Sequence, residues 1–92
     1  MHQYWAYIMA SHSRVVYVGV TNNLLLRVQQ HRNKIVPGFT ARYNCNRVVW
    51  YQAFGRIDDA IAAEKKIKGW TRAKKIALIE EMNPAWDDLS VS

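Results

Sequence analysis

A tyrosine, an arginine and a histidine stand close together within residues 14–31. Tyr17 lies near the end of a β-branched run that reaches Gly19, and Arg27 and His31 are four residues apart, one helical turn from each other. Arginine presents a fork of N–H donors that suits phosphate oxygens. Histidine can orient a water molecule or a hydroxyl near neutral pH. These residue types at this spacing indicate a site for phosphate chemistry.

Glu64 is a carboxylate at an unusual place in the pattern. It shares one helical stripe with four apolar residues, so we expect it on an inward face. Those residues are Ile57, Ala60, Ile61 and Ile67. A carboxylate there destabilises the fold unless it is paired or bound to a metal ion. Helical spacing alone supports a metal role and a salt bridge to a nearby Arg or Lys equally.

The ordinary alternatives for the other three residues are structural. An arginine on a helix is by default an exposed surface charge. A histidine at the end of a helix commonly only complements the helix dipole. Tyrosines in strands usually pack. The positions of these side chains in the fold must therefore decide between chemistry and packing.

Two strands joined by a turn must present Tyr17. Residues 3–9 and 14–18 are rich in aromatic and β-branched side chains, and the small polar residues 10–13 predict a hairpin turn between them. By the alternation of a strand, Trp5 and Tyr7 share one face of the first strand, and Ala6 and Ile8 share the other. Gly19 gives freedom at the exit of the second strand, for a sharp turn or a close approach to a ligand.

One helix must present Arg27 and His31. A Thr or Asn within residues 21–23 can cap it, and its apolar stripe includes Leu25 and Val28. Pro37-Gly38 breaks this pattern. Residues 35–45 then predict an irregular surface-binding loop, because they include the rings and the charge of Phe39, Arg42 and Tyr43.

The second half of the chain predicts one strand and two helices. They are a strand over 46–54, a helix from Ala60 to about Lys68 and a helix over 72–82. Asp58 or Asp59 can cap the first of these helices and Thr71 the second. Asn83-Pro84 ends the last helix, and Trp86 and Leu89 are expected to fold back onto the core. The order ββαβαα predicts a single α+β domain over residues 1–92.

The charge of the chain indicates a polyanionic partner. Thirteen Lys and Arg against seven Asp and Glu give a formal net charge of +6, with a pI of about 9.8. Nucleic acid is therefore expected in preference to an acidic protein or a membrane. Phe39, Tyr43 and Trp70 are candidates for stacking on unpaired bases. The basic residues expected to dock DNA, some of which only solvate the surface, are Arg14, Arg32, Lys34, Arg42, Arg47, Lys65, Lys66, Lys68, Arg72, Lys74 and Lys75.

Cysteine use and hydropathy predict a cytoplasmic protein. Cys45 is the only cysteine, which excludes an intramolecular disulfide and a Cys-based metal cluster and suggests a buried thiol in a reducing compartment. The first residues lack the charged and apolar regions of a signal peptide. No stretch approaches the ~18 apolar residues that cross a bilayer.

Several short motifs, taken in order, resemble the GIY-YIG nuclease domain. They are Tyr4-Trp5-Ala6-Tyr7-Ile8, Tyr17-Val18-Gly19-Val20-Thr21, Leu26-Arg27, His31, Gly38-Phe39-Thr40, Glu64-Lys65-Lys66-Ile67-Lys68-Gly69-Trp70 and Asn83-Pro84. They span about residues 3–89, and they are most similar to the small bacterial URI-domain or YhbQ-like endonucleases. The first motif lacks the glycine and isoleucine of the family name but keeps its tyrosine, Tyr7.

The resemblance implies a three-stranded antiparallel sheet flanked by helices, and phosphodiester hydrolysis with one divalent ion, Mg²⁺ or Mn²⁺, held by Glu64. The catalytic residues that it implies are Tyr7, Tyr17, Arg27, His31, Glu64 and Asn83. We expect Tyr7 to act as general base through water with Tyr17 hydrogen-bonded beside it, although the reverse assignment is open. Tyrosine titrates near pH 10, so a base role needs a lowered pKa or partial proton sharing. The metal ion and neighbouring cations such as Arg27 would favour the phenolate.

The function implied by the resemblance is that of a metal-dependent DNA endonuclease in DNA repair or recombination. Its substrate would be duplex, branched or single-stranded DNA, cut with structural selectivity or weak sequence specificity, because 92 residues leave little area for sequence readout. The alternatives are a non-catalytic nucleic-acid-binding module with the same fold and a small basic protein-interaction domain. The five matched polar positions Tyr7, Tyr17, Arg27, His31 and Glu64 favour the enzyme.

Overall fold

Three antiparallel strands form one sheet at the centre of the molecule. The computed structural model describes residues 3–35 and 38–90. Strands β1 (Tyr4–Ala10), β2 (Val16–Thr21) and β3 (Arg47–Phe54) lie in the order β2-β1-β3, so the first strand is paired on both sides. The predicted α+β fold with a three-stranded antiparallel sheet is confirmed.

The register of the first hairpin sets the positions of both tyrosines. Tyr7 lies opposite Gly19 and Met9 lies opposite Tyr17, so Tyr7 and Tyr17 project from the same face of the sheet. Strand β2 continues through Gly19 to Thr21, and the expectation that Gly19 ends the strand is wrong. Pairing with β1 satisfies the backbone there, so no turn is needed.

Each face of the sheet carries its own apolar cluster. The first cluster packs against the two C-terminal helices and contains Ala6, Ile8, Ala10, Val18, Val49, Trp50, Ile67, Ile79 and Trp86. The second packs against the helix after the hairpin and contains Tyr7, Met9, Val28, Cys45 and Val48. A register shift between Ile8 and Met9 leaves Val49 without a direct partner on β1, which is how Val49 and Trp50 both join the first cluster.

In the part of the chain that the structure describes, four helices flank the sheet: α1 (Leu24–Arg32), α2 (Phe39–Arg42), α3 (Ile57–Lys68) and α4 (Arg72–Met82). The caps of α1 and α4 are those that the sequence predicts. The Asn23 side chain accepts from the Leu26 N–H, and the Thr71 side chain accepts from the Lys74 N–H. Within residues 3–35 and 38–90, no helix is long and apolar enough to cross a membrane.

Three local expectations are wrong. Residues 35–45 are not wholly irregular, because they contain α2, and Pro37 lies outside the described residues. Helix α3 begins at Ile57, so Asp58 and Asp59 lie in its first turn instead of capping it, where their charge complements the helix dipole. Leu25 is 65% exposed and does not belong to the inward stripe of α1.

The segment after α4 returns to the sheet. Trp86 is buried in the first cluster, and its indole N–H donates to the Glu80 carboxylate at 2.8 Å. The Leu89 N–H donates to the Val48 carbonyl at 2.8 Å. These contacts confirm the prediction that Trp86 and Leu89 fold back onto the core.

Candidate functional site

The ring of Tyr7 lies across the neighbouring strand at Gly19. A Cβ at Gly19 would stand 2.5 Å from both Cζ and Oη of Tyr7, well inside van der Waals contact. Only glycine therefore admits the ring in this position. Strand β2 is an edge of the sheet, so the Tyr7 hydroxyl is carried toward that edge and toward α1.

A chain of hydrogen bonds joins Tyr7, His31 and Thr40. The Tyr7 hydroxyl lies 2.9 Å from His31 Nε2, and His31 Nδ1 lies 2.8 Å from the Thr40 hydroxyl. All three residues are buried. Tyr7 is thus paired with His31 and not with Tyr17, which corrects the expected hydrogen bond between the two tyrosines. His31 orients a tyrosine hydroxyl, one of the two roles that the sequence leaves open.

Burial and charge keep Tyr7 and His31 neutral. Burial raises the pKa of the Tyr7 phenol well above its usual value, the charges of Tyr17 and Glu64 raise that pKa further, and the positive charge of Arg27 opposes the shift. Burial first, and then the charge of Arg27, lowers the pKa of His31. As expected, the charge of Arg27 lowers the pKa of Tyr7, but burial raises that pKa by more, so the phenol and not the phenolate is favoured. Tyr7 therefore holds its proton until something else removes it.

Tyr17 lies beside this pair. Its ring centroid is 5.7 Å from that of His31 in an edge-to-face arrangement, and 6.1 Å from that of Phe39 in a stacked arrangement. Lys68 places its ammonium 5.8 Å from the Tyr17 centroid. Tyr17 thus links the buried hydrogen-bond chain to α2 and α3.

Helix α3 brings Glu64 to the corner of the molecule where Tyr7, Tyr17 and His31 lie, because Lys68, which pairs with Glu64, also lies over the Tyr17 ring. The Glu64 side chain is 15% exposed, and Lys68, one turn later, lies 3.4 Å from its carboxylate. Its charge acts on the pKa of Tyr7, as does that of half-buried Arg27. The structure therefore brings Tyr7, Tyr17, Arg27, His31 and Glu64 together. Of the two alternatives that its spacing left open, Glu64 makes the salt bridge, and its role as a metal ligand stays a prediction.

The donors at this corner fit a single hard cation. Mg²⁺ prefers oxygen ligands and keeps several of its waters, so one carboxylate can hold it. The Glu64 side chain is 15% exposed, and the Lys68 side chain paired with it is 50% exposed, so this salt bridge is open to solvent on the lysine side. Among residues 3–35 and 38–90, no three His, Cys, Asp or Glu side chains gather into a larger metal cluster. A site with one protein carboxylate is thus the form that these residues allow.

Asn83 lies apart from this corner. Its side-chain amide donates to the carbonyls of Val49 (3.1 Å) and Asp87 (2.8 Å), and its side-chain carbonyl accepts from the Asp87 N–H (3.0 Å). These contacts tie the end of α4 to β3 and to the following turn. Its predicted catalytic role stays a prediction, and the contacts themselves describe a structural residue.

Two of the predicted DNA-docking arginines are held by the fold. Arg47 donates to the carbonyls of Trp86 (2.8 Å) and Ser11 (2.7 Å). Arg32 donates to the Asn46 carbonyl at 3.1 Å and pairs with the Asp88 carboxylate. Both guanidinium groups connect distant segments of the chain, so they offer less to a phosphate than the sequence suggests.

The remaining predicted docking residues are mostly open to solvent. Arg14 lies 4.7 Å from the Trp86 ring centroid and 3.9 Å from the Glu80 carboxylate. Lys66 and Lys74 stand over the Trp70 ring, and Trp70 itself packs against the first cluster. The exposed cations among these remaining residues are Arg14, Lys34, Arg42, Lys65, Lys66, Lys68, Arg72 and Lys74.

Sequence reasoning missed two residues of the site. Thr40 stands in the motif Gly38-Phe39-Thr40 that carries part of the resemblance, but nothing in that motif says that its hydroxyl meets a histidine. For Gly19 the sequence predicts a sharp turn or a close approach to a ligand, whereas in the structure the group that approaches it is the ring of Tyr7. The pairing register of β1 and β2 was the missing information, since it alone places Tyr7 opposite Gly19.

Residues 3–77 match a protein family described as the GIY-YIG catalytic domain. The chain is also similar to UPF0213 proteins from Bacillus pumilus (28% identical over 81 residues, 88% of this chain and 83% of that protein) and Oceanobacillus iheyensis (33% over 78 residues, 85% and 91%). A third, from Lacticaseibacillus paracasei, is 29% identical over 83 residues, which is 90% of this chain and 93% of that protein.

A solved structure has the same fold. The solution NMR structure of a UPF0213 protein from Bacillus halodurans matches with a TM-score of 0.58 at 21% identity, and the match covers 98% of this chain and 97% of that chain. The predicted resemblance to GIY-YIG domains is confirmed.

Proposed function

Since this chain belongs to the GIY-YIG catalytic domain family, we propose that it is a divalent-metal-dependent endonuclease that hydrolyses phosphodiester bonds in DNA. One observation carries the proposal. Tyr7 is hydrogen-bonded to His31, and the charges of Glu64 and Arg27 both act on the pKa of Tyr7. Metal-dependent phosphodiester hydrolysis can use such a set: a carboxylate for the ion, a cation for the phosphate and a group that accepts a proton.

Charge neutralisation of the phosphate falls to two groups. When bound at Glu64, Mg²⁺ or Mn²⁺ supplies positive charge to the phosphate and to the leaving oxygen. Arg27 donates from its planar guanidinium to the phosphate oxygens, which suits a transition state that concentrates negative charge there. Lys68, once displaced from Glu64, is free to contact the neighbouring phosphate.

The proton of the attacking water passes through Tyr7. Tyr7 Oη accepts that proton as its own proton moves to His31 Nε2 across the 2.9 Å hydrogen bond. Arg27 disfavours the resulting imidazolium, and the negative charge of the bound phosphate offsets that repulsion. This path uses the tautomer in which His31 Nδ1–H donates to the Thr40 hydroxyl, 2.8 Å away, and Nε2 accepts from Tyr7.

The substrate is proposed to be DNA recognised by its structure or with weak sequence preference, in repair or recombination. The +6 charge and the exposed lysines support a phosphate backbone as partner. The small area of the domain supports shape over sequence readout. A cytoplasmic site of action stays an expectation.

The test is cleavage by purified protein of duplex, single-stranded, nicked and branched DNA, with Mg²⁺, Mn²⁺ or EDTA. Glu64→Gln keeps the size of the side chain and removes its charge. We expect this variant to lose at least 100-fold in cleavage rate and to keep DNA binding in EDTA within about threefold.

Glu81→Gln is the matched control, because Glu81 is exposed on α4; this variant should cut like the wild type. Undiminished cleavage by Glu64→Gln would show that Glu64 does not hold the metal ion. Cleavage by the wild type that persists in EDTA would remove the metal from the proposal.

A non-catalytic nucleic-acid-binding module is the second candidate. It is favoured by one observation, that burial keeps the Tyr7 phenol protonated far above neutral pH. For such a module we expect DNA binding with a steep salt dependence and no cleavage with either ion on any of the four substrates.

A further inference from the structure

Four aromatic rings lead from the buried site to the surface. In order they are His31, Tyr17, Phe39 and Tyr43, which we call the aromatic ladder. Successive ring centroids are 5.7 Å, 6.1 Å and 4.7 Å apart. These spacings lie within the range of favourable ring contacts, so the ladder is continuous from the hydrogen-bond chain outward.

The outer half of the ladder is open to solvent. Phe39 is 44% exposed and Tyr43 is 42% exposed, whereas His31 is 2% exposed. The two outer residues are four apart on and just after α2, so they lie on one side of it. Trp70 and Trp86, by contrast, pack against the first cluster. Of the three stacking candidates in the sequence, Phe39 and Tyr43 are the two whose side chains are largely exposed.

Cations border these rings. Lys68 and Lys75 line a shallow recess of about 220 Å³ together with Tyr17 and Phe39. The Arg42 guanidinium lies 5.5 Å from the Tyr43 ring centroid. The ion pairs among residues 3–35 and 38–90 leave Arg42 and Lys75 without a carboxylate partner. Positive charge beside exposed aromatic rings complements one kind of ligand, a nucleotide whose base is free to stack.

We propose that Phe39 and Tyr43 stack an unpaired base next to the scissile phosphate, so that the substrate is nucleic acid that is single-stranded or locally unpaired at the cut. In this arrangement the base covers the outer rings of the ladder while Lys68 and Lys75 contact its backbone. In a duplex both faces of each base are already covered, so a base must be unstacked and unpaired before it can stack on these rings. The part of the inference that concerns the position of the cut rests on the proposed nuclease function. The part that concerns stacking of an unpaired base does not.

The experiment measures binding in EDTA, where no cleavage occurs. The probes are one single-stranded oligonucleotide with a central 2-aminopurine and the same oligonucleotide annealed to its complement. Phe39→Leu/Tyr43→Leu removes both ring faces and retains apolar bulk. Tyr51→Leu is the control, because Tyr51 is also exposed, at 37%, and lies on β3 outside the ladder.

For the wild type we expect single strands to bind at least 10-fold more tightly than duplex, with 2-aminopurine fluorescence quenched by stacking. The double leucine variant should lose about 10-fold or more in single-strand affinity, because each stacked base contributes roughly 5- to 150-fold. Its duplex affinity should change less than about twofold. Its salt dependence should equal that of the wild type, because no charge is removed. Tyr51→Leu should bind both probes like the wild type.

Equal affinity of the wild type for both probes, or no quenching on the single strand, overturns the inference whatever the variants do. A double variant that binds single strands like the wild type overturns it as well. If stacking is observed and no substrate is cut with Mg²⁺ or Mn²⁺, the proposed nuclease function fails and the inference stands. If DNA is cut and stacking is absent, the inference alone fails.

Discussion

At the scale of single residues, the closest contact in the site is that between Tyr7 and Gly19. A methyl group at Gly19 meets the end of the Tyr7 ring at 2.5 Å. The ring is buried and hydrogen-bonded to His31, so it can yield only by breaking that bond. The glycine of this strand therefore serves a side chain on the neighbouring strand and not its own backbone.

Gly19→Ala should lower the free energy of unfolding by about 1–3 kcal/mol, as overpacking of a buried site does. It should also reduce cleavage strongly, because Tyr7 and His31 separate. Urea denaturation and a cleavage assay measure the two effects. Gly55→Ala is the control, since a Cβ there meets nothing within 4 Å, and it should change stability by no more than about 0.5 kcal/mol. Equal effects of the two substitutions would contradict the close contact.

The lowered pKa of His31 predicts how the free energy of unfolding changes with pH on the acid side of neutrality. In the unfolded chain His31 takes up a proton below about pH 6.5, whereas in the folded protein its pKa is lower. The unfolded state thus binds more protons in that window, so stability is full above about pH 6.5 and falls as the pH drops below it. Denaturation series between pH 5 and 7.5 should show this fall.

The variant His31→Gln should flatten that part of the profile, and His12→Gln should not, because His12 is exposed. Carboxylates titrate mainly below this window and add little to it. An unchanged pH dependence in His31→Gln would place the titrating group elsewhere.

At the scale of elements, α2 has a buried side and an exposed side. Thr40 lies on the buried side and is hydrogen-bonded to His31, whereas Phe39 and Tyr43 are exposed. A four-residue helix is too short to form by its own propensity, so its contacts with α1 and the site must stabilise it. The sequence of 35–45 has no helical stripe, and α2 could not be predicted for that reason.

Thr40→Val tests the hydrogen bond between Thr40 and His31. Valine fills the same volume but leaves buried His31 Nδ1 without its partner, which should cost about 1–3 kcal/mol in the free energy of unfolding. Because the Thr40 hydroxyl no longer holds the His31 ring with Nε2 toward Tyr7, kcat for cleavage should fall at least 10-fold while KM changes little. Thr40→Ser restores the hydroxyl and should recover both stability and rate.

Thr71→Val provides the comparison for Thr40→Val. It removes the cap of α4 at a cost of about 1 kcal/mol and leaves the site untouched, so its rate should match the wild type. If the two valine variants lose rate equally, the effect of Thr40 is only one of stability.

Local elements were predictable where local sequence determines them. The hairpin alternation placed Trp5 with Tyr7 and Ala6 with Ile8 correctly, and Thr71 and one Asn of residues 21–23 cap the helices as expected. The predictions that were wrong depend on contacts between residues that are distant in the sequence. The sequence predicts that Arg47 is a surface cation, but its partners are the carbonyls of Ser11 and Trp86, 36 and 39 residues away in the chain. No local pattern contains that information.

At the scale of the whole molecule, Asn83 joins three parts of the chain. Its amide connects the end of α4 with β3 through Val49 and with the final segment through Asp87. Asn83→Ala leaves buried backbone groups unpaired, so we expect it to lower the free energy of unfolding by about 2–3 kcal/mol. At a temperature where the variant is fully folded, its cleavage rate should stay within about twofold of the wild type.

Asn22→Ala, at an exposed position before α1, is the control and should leave stability within about 0.5 kcal/mol of the wild type. A rate loss in fully folded Asn83→Ala of more than 10-fold would support the catalytic role that the resemblance implies.

The buried thiol of Cys45 gives the molecule its own reporter of motion. Cys45 is 0% exposed and belongs to the cluster beneath Tyr7, and burial raises the pKa of the thiol, so the reactive thiolate is scarce while that layer stays closed. A thiol reagent can then react only when the layer opens. As the chain has one cysteine, the rate at which a thiol reagent labels the unmodified protein measures how often the cluster that contains Cys45 and Tyr7 opens to solvent.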